Sequence, residues 1–240
     1  MKAPLLLISG MLCDETVWLP TAHALNDAAD IQIINLGVTD SVEAMAEGVL
    51  ARAPQRFALA GHSLGGRVVL EVARRAPERV ALLGLFGTAY RGRAAGPAGQ
   101  AETAAREAML VKARAEGLRT FGEQWAARML HSDRLADPRT VEPIVAMVEK
   151  QGLAALEAQV RMGLARPDAA DLLPRIGCRT LILAARDDAA MPLGPHEEMA
   201  NAIPDAELVV VERSGHLLTY ERPDACANAI QRWLGAFSQT

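Results

Sequence analysis

The chain has 240 residues, of which half are hydrophobic and 22% are charged, and its formal net charge is −4. This length suits one α/β domain with an insertion, and the hydrophobic share is enough for a substantial core. Without a basic stripe the composition excludes a nucleic-acid partner, and no apolar stretch is long enough to predict a membrane span. The three cysteines are too far apart to suggest a disulfide framework or a zinc site, which favours a cytoplasmic protein without a metal: Cys13, Cys178 and Cys226.

The first ninety residues alternate between short apolar runs and amphipathic segments. Apolar runs predict strands at 4–8, 31–36, 56–60 and 80–86. Helical periodicity appears at 17–25, at 42–50 after a plausible N-cap at Ser41, and at 64–76. This strand–helix alternation predicts a mostly parallel sheet with right-handed crossovers and helices on both faces.

The alternation stops after Tyr90. Residues 91–99 form a linker rich in Gly, Ala, Pro and Arg, and residues 100–165 are predicted to be helical throughout. The predicted helical segments are 101–115, 121–130, 141–150 and 153–164, separated by Gly117, Pro138 and Gly152. Arginines between 106 and 134 alternate with acidic residues, which is typical of a solvated helix face.

We interpret this helical stretch as an inserted cap. The α/β core would then comprise residues 1–90 and 171–240, and the helical cap, or lid, residues 91–170. The alternative is a set of ordinary covering helices with no gating role, but the insertion is too long for a normal crossover. The core resumes with a strand at 179–184, a helix at 194–203, a strand at 207–212 and a helix at 223–237.

The segment 61–65, Gly-His-Ser-Leu-Gly, lies between a predicted strand and a predicted helix. In that setting the Gly-X-Ser-X-Gly pattern predicts a sharp turn that holds the hydroxyl of Ser63 above the sheet. The N–H of Leu64, near a helix N-terminus, would point into the same space. Taken alone the pattern is weak, because a strand-to-helix turn also favours Gly and Ser for structural reasons.

A serine hydroxyl needs a base to take its proton, and the base needs a partner to hold its tautomer. His216 follows the last predicted strand, in the kind of loop where open α/β sheets place their sites. Asp187 and Asp188 follow the preceding strand. One of them would face His216, while the other would cap the turn or face water.

The other four histidines are interpreted as structural. Consecutive side chains diverge at a tight turn, so His62 is not expected to be the base. His131 and His196 fall on predicted helices, and His23 lies in or near an early one.

The loop after the first strand should supply a second donor to the oxyanion. Gly10 would let this backbone bend close to Ser63, so the N–H of Met11 is the natural donor and Gly10 a possible substrate contact. The alternative interpretation of Ser9-Gly10 is a simple turn.

Three stretches of this chain resemble signature stretches of the α/β-hydrolase superfamily, in the family's order of Ser, Asp and His. They are Gly-His-Ser-Leu-Gly-Gly at 61–66, Arg-Asp-Asp-Ala-Ala-Met-Pro at 186–192 and Gly-His-Leu-Leu-Thr-Tyr-Glu-Arg-Pro at 215–223. The resemblance covers nearly the full length and is to the small, capped serine esterases. In that family the acid usually lies four residues before the loop proline, which implies Asp188 rather than Asp187.

The resemblance implies acyl transfer to water through an acyl-enzyme, with Ser63, His216 and Asp188 as the triad and Met11 and Leu64 as oxyanion donors. The expected substrate is a carboxylic ester or a related small acyl compound, and this chemistry needs no metal or organic cofactor. Because the insertion is rich in Ala, Leu and Met, a mostly apolar acyl or alcohol group is expected.

Two alternatives remain open from the sequence. One is a lyase on the same scaffold that forms no acyl-enzyme, and the other is a non-catalytic ligand-binding protein. Arg67 resembles the arginine that helps to hold an anionic substrate in the small synthases and lyases of menaquinone biosynthesis. Its plainer interpretation is a surface ion pair on the helix after Ser63.

Overall fold

A parallel sheet of six strands forms the centre of the structure, a computed structural model that describes residues 2–25 and 28–237. The strands are β1 (Ala3–Ile8), β2 (Ala29–Ile34), β3 (Phe57–His62), β4 (Val80–Phe86), β5 (Arg179–Ala185) and β6 (Ala206–Val211). Their spatial order is β2-β1-β3-β4-β5-β6, and each neighbouring pair is parallel. The predicted α/β class with a parallel sheet is therefore confirmed.

Helices cover both faces of this sheet. They are α1 (Leu19–Ala24), α2 (Val42–Arg52), α3 (Leu64–Arg75), α4 (Gly96–Met129), α5 (Pro138–Ala165), α6 (Leu193–Ala202), α7 (Leu218–Glu221) and α8 (Pro223–Leu234). Along β1, Leu5 and Leu7 belong to one buried cluster, and Leu6 and Ile8 belong to the other. Both faces of this strand are thus covered, which explains its continuous apolar run.

Some predicted boundaries were wrong. The second strand spans 29–34 rather than 31–36, because pairing of this edge strand with β1 already begins at Ala29. The last helix ends at Leu234 rather than at 237, and Gly235 lies at its C-terminal cap. Only residues 19–24 of the predicted segment 17–25 form an α-helix, since a short 3₁₀ turn at Glu15–Val17 precedes them.

The two long helices α4 and α5 lie between β4 and β5 in the chain. Both are interrupted at a predicted glycine, Gly117 and Gly152, where φ is 81° and 82°. Within the described ranges no helix has an apolar stretch that could cross a bilayer.

Contacts from α5 reach the loop that follows β1. Gln159 is fully buried, and its side chain accepts the N–H of Leu12 at 2.6 Å and donates to the carbonyl of Gly37 at 2.7 Å. Lys150 also lies 3.1 Å from the carboxylate of Asp14. These bonds fix the helical pair against the carboxyl edge of the sheet, where parallel α/β sheets carry their ligand sites.

Candidate active site

Ser63 occupies a sharp turn between β3 and α3. Its φ of 55° and ψ of −118° are unusual for a residue with a side chain and cost about 1–3 kcal/mol. The turn is held by the neighbouring strand, because Ser63 N–H donates to the carbonyl of Phe86 at 2.9 Å and the Thr88 hydroxyl donates to the Ser63 carbonyl at 2.7 Å.

The glycines around Ser63 allow three pieces of backbone to approach closely. A Cβ atom at Gly61 would overlap the carbonyl oxygen of Gly65. A Cβ atom at Gly65 would lie 2.5 Å from the carbonyl oxygens of Ile8 and Ser9 in and after β1. The helix that follows Ser63 can therefore pass the sheet only because both positions lack a side chain.

Ser63, His216 and Asp188 form one continuous chain of hydrogen bonds. The Ser63 Oγ atom lies 2.8 Å from His216 Nε2, and His216 Nδ1 lies 2.7 Å from Asp188 Oδ2. His216 and Asp188 are each 5% exposed, whereas Ser63 is more accessible. The structure thus brings together the three side chains that the sequence selected, with the hydroxyl at the accessible end.

Asp188 uses both of its carboxylate oxygens. Oδ1 accepts the N–H groups of Ala190 and Met191, each at 2.8 Å, while Oδ2 faces His216. Burial alone would raise the pKa of Asp188, but the contact with His216 and the two N–H donors outweigh burial and lower it below its ordinary value. Asp188 is therefore a carboxylate that is fixed in orientation.

The neighbouring Asp187 is at the surface, with its carboxylate 3.4 Å from His131 Nε2. As expected, one aspartate faces His216 and the other faces water: Asp188 contacts His216 and also caps the turn, while Asp187 is exposed. The prediction that placed His131 on a helix was wrong, since this residue caps the short 3₁₀ turn at Ser132–Arg134 after α4 has ended.

The loop after β1 lies directly beside Ser63. A Cβ atom at Gly10 would lie 3.1 Å from Ser63 Cβ, so this backbone is close enough to contact a bound substrate. The N–H of Leu12 is already bonded to Gln159. By contrast, the loop, turn and cap hydrogen bonds of the described residues use neither the N–H of Met11 nor that of Leu64.

Glu221 is a site residue to which the sequence analysis assigned no role. Its buried carboxylate accepts the N–H of Gly215 at 3.0 Å and the N–H of His131 at 2.8 Å. The N–H of His216 also donates to the carbonyl of Met129 at 2.7 Å. Burial raises the pKa of Glu221. These bonds join the loop of His216 to the end of α4, and the only available sequence signal was the glutamate in the stretch 215–223.

The His62 side chain contacts the main chain of His216. Its Nε2 atom lies 2.8 Å from the carbonyl oxygen of His216, so this nitrogen carries the proton and donates it. The two imidazole rings are 4.7 Å apart between centroids. Burial, together with the neighbouring His216, lowers the pKa of His62 to about 3. His62 is therefore neutral and is bonded to the main chain of His216 rather than to Ser63.

Arg67 does not form the surface ion pair that was its plainer interpretation. Its side chain is buried, and its Nη1 atom donates to the carbonyl of Arg91 at 2.7 Å. Burial lowers the pKa of Arg67 to about 9. Arg67 lies one turn of α3 after Ser63, at the linker that leads to α4. Its guanidinium is thus bonded to a backbone carbonyl of that linker.

A cavity of about 340 Å³ lies between the end of α4 and the loop that carries Asp188. Leu130 and Leu135 contribute apolar surface to its lining, and His131 and Asp187 contribute polar groups. Its volume is at the low end of the range for small-molecule sites.

Comparison with known proteins gives consistent matches. A family model described as "Alpha/beta hydrolase family" matches residues 15–229. A protein from Rhizobium rhizogenes named as a carbamate hydrolase, RutD, is 25% identical over 98% of this chain and 94% of its own length. A pimeloyl-[acyl-carrier protein] methyl ester esterase from Aromatoleum aromaticum is 29% identical over 80% of this chain and 79% of its own. The structure of a thermophilic esterase from Thermogutta terrifontis superposes with a TM-score of 0.85 and 28% identity, over 99% of this chain and 92% of that one.

Proposed function

This chain belongs to the alpha/beta hydrolase family, and on that premise we propose that it is a serine hydrolase of a carboxylic ester or a related small acyl compound. The observation that carries the proposal is the hydrogen-bonded chain from Ser63 through His216 to Asp188. Relatives named as a hydrolase and as an esterase support hydrolase activity in general.

In the proposed reaction Ser63 Oγ attacks the carbonyl carbon of the substrate. His216 Nε2 takes the hydroxyl proton across the 2.8 Å hydrogen bond and then gives it to the leaving alcohol. Asp188 accepts a hydrogen bond from the Nδ1–H group, which keeps the proton on Nδ1, leaves Nε2 free as the base and stabilises the imidazolium that forms. A water molecule then attacks the acyl-enzyme, with His216 acting again as base and acid, and releases the carboxylic acid.

The negative charge on the carbonyl oxygen needs donors that are already in place. We assign this role to the N–H groups of Met11 and Leu64, one on each side of Ser63. A donor of this kind is typically worth about 3–4 kcal/mol of transition-state stabilisation. Gly10 contributes space, because a side chain there would contact Ser63 Cβ and His62 Nδ1.

We further propose that residues 91–170 act as a cap over a core of 1–90 and 171–240. Support comes from the contacts of α5 with the loop that carries Met11 and of α4 with the loop that carries His216. Both proposed catalytic loops are thus in contact with the capping helices, whose position can influence access to Ser63.

Hydrolysis of p-nitrophenyl esters of increasing acyl length, by wild type and by Ser63→Ala, tests the proposal. Turnover should disappear in Ser63→Ala while the melting temperature is nearly unchanged. A matched control is Ser41→Ala, which removes the N-cap of α2 and should cost about 1 kcal/mol of stability without loss of turnover. Retained turnover in Ser63→Ala would contradict the assignment.

A serine-directed phosphonate separates this proposal from the lyase and binding alternatives. Covalent labelling at Ser63, lost in His216→Ala, would establish an activated nucleophile. If wild type neither turns over any ester nor reacts with the phosphonate, the proposed hydrolase chemistry is wrong.

A further inference from the structure

Three arginines from separate parts of the chain lie near one another, and one of them contacts the loop that carries Met11. Arg67 and Arg166 both donate to the carbonyl of Arg91, at 2.7 and 3.3 Å. Arg106 on α4 points at the loop itself, with its Nη1 atom 3.6 Å from the sulfur of Met11. This group of Arg67, Arg106 and Arg166 is called the arginine cluster below.

Among the described residues, two carboxylates act on the arginine cluster: Glu102, and Asp168 beside Arg67. Glu102 lies one turn before Arg106 on α4 and is held by two hydrogen bonds from Arg166, at 2.6 and 3.0 Å. The cluster therefore has three positive charges and two negative charges, which leaves an excess of one positive charge. Arg166 also donates to the carbonyl of Gly163, where an added Cβ would lie 3.9 Å from the methyl carbon of Met11. The Met11 side chain thus lies between Arg106 and the segment of α5 to which Arg166 is bonded.

Arg106 is the member of the cluster without a strong acceptor. Arg166 has Glu102 and Arg67 has a backbone carbonyl, whereas the hydrogen bond of Arg106 goes to a thioether sulfur, which is a weak acceptor. Among residues 2–25 and 28–237, no carboxylate forms an ion pair with Arg106. Its side chain is partly buried, and this burial lowers its pKa. Glu102 offsets part of this charge from a distance but is itself bonded to Arg166. A partly buried guanidinium with no directly bonded carboxylate is unfavourable, so an anion bound there would be stabilised.

Two of the three other arginines of α4 lie on its outer side, and the third, Arg128, is near enough to Arg106 to lower the pKa of Arg106 further. Arg114 and Arg119 point outward, where they pair with Glu157 at 2.7 Å and Glu142 at 2.9 Å. The predicted solvated face of alternating charges is therefore present at these two positions. For Arg106 that prediction was wrong, since this side chain lies against the loop beside Ser63.

We propose that Arg106 binds a carboxylate group of the substrate, with Arg166 and Arg67 contributing to the positive field around it. The proposal deepens the function proposed above and rests on it: Met11 would donate its N–H to the reacting carbonyl while its side chain lies against Arg106. The substrate class is then an ester that carries a second, free carboxylate, such as a half-ester of a dicarboxylic acid. One uncommitted guanidinium matches a planar, singly charged carboxylate better than a phosphate dianion, which needs more donors.

The test compares mono-p-nitrophenyl esters of straight dicarboxylic acids of four to eight carbons with the corresponding neutral monoamides. The measured quantity is the ratio of kcat/KM for acid over amide at each chain length, corrected for spontaneous hydrolysis. Wild type should prefer the acid at one or more lengths. Because a hydrogen bond to a charged group contributes about 1.5–3 kcal/mol, Arg106→Gln should lower this ratio about 10- to 100-fold.

Two further variants make the comparison decisive. Arg106→Lys keeps the charge but loses the planar fork, so its acid-to-amide ratio should lie between wild type and Arg106→Gln. Arg114→Gln removes an equal charge from the outer side of the same helix and should leave the ratio unchanged. A wild type without preference for the acid, or equal ratios in wild type and Arg106→Gln, would overturn the proposal.

Binding to the Ser63→Ala variant separates a failure of this inference from a failure of the proposed hydrolase. Calorimetry with the half-ester and its monoamide needs no turnover. Tighter binding of the acid that is lost in Ser63→Ala/Arg106→Gln would support the carboxylate site even if wild type hydrolyses no ester. Equal binding of acid and amide would refute the site whatever the hydrolase activity.

Discussion

Replacing Asp188 by asparagine should abolish most of the activity through the tautomer of His216. The N–H groups of Ala190 and Met191 need an acceptor, so an asparagine would place its carbonyl oxygen at the Oδ1 position, 2.8 Å from both. Its NH₂ group would then face His216 Nδ1 at the position now 2.7 Å away. Two donors cannot face each other, so His216 would carry its proton on Nε2, where it can no longer accept the proton of Ser63.

The expected loss is about 10⁴-fold in kcat, or roughly 5.5 kcal/mol of transition-state stabilisation, which is the size seen when a triad carboxylate becomes an amide. The assay is steady-state hydrolysis of the best p-nitrophenyl ester, with a thermal melt of each variant. Asp187→Asn is the matched control, because Asp187 faces His131 at the surface and should leave kcat within about twofold of wild type. A loss smaller than tenfold in Asp188→Asn, or an equal loss in Asp187→Asn, would refute the reasoning.

Two predictions concern stability. Gly65→Ala should lower the free energy of unfolding in urea by about 2–3 kcal/mol, because the added Cβ would lie 2.5 Å from the carbonyl oxygens of Ile8 and Ser9. Gly177→Ala is the control and should lower it far less, since an added Cβ there has nothing within 4 Å. Equal losses in the two variants would contradict the close approach at Gly65. Burial lowers the pKa of His62 to about 3 in the folded protein, against about 6.5 in the unfolded chain. Below pH 6.5 the unfolded chain therefore binds a proton that the folded protein does not, so the free energy of unfolding should fall by up to about 1.4 kcal/mol per pH unit toward pH 3. His62→Gln should flatten the fall of melting temperature between pH 6.5 and 4, and unchanged slopes would contradict this assignment.

Local sequence patterns were sufficient for most of the architecture. A strand covered on both faces is apolar along its length, so β1 and β4 were visible as apolar runs. The edge strand β2 alternates between buried and exposed residues, and its true start was missed for that reason. Gly117 and Gly152 were recognisable as helix interruptions because a positive φ strongly favours glycine.

Only those parts of the candidate site that depend on neighbouring residues in the chain could be predicted. Ser63 was identified by the small residues that its turn requires, and His216 by its place after the last strand. Composition and spacing left Asp187 and Asp188 equivalent, and the family resemblance alone favoured Asp188. The structure distinguishes them because only Asp188 contacts His216 while accepting two N–H groups of its own turn.

Residues whose partners are distant in the chain could not be identified from the sequence. Gln159 reaches Leu12 across 147 positions, and Arg106 reaches Met11 across 95. No periodicity encodes such pairs, because which face of a helix meets which loop depends on how the elements pack. The sequence by itself determined the parallel sheet, the turn at Ser63 and the order of Ser, Asp and His, since these follow from local sterics and burial. Only the tertiary structure decided which aspartate faces His216 and which arginine lies beside the loop of Met11 with no ion pair to any described carboxylate.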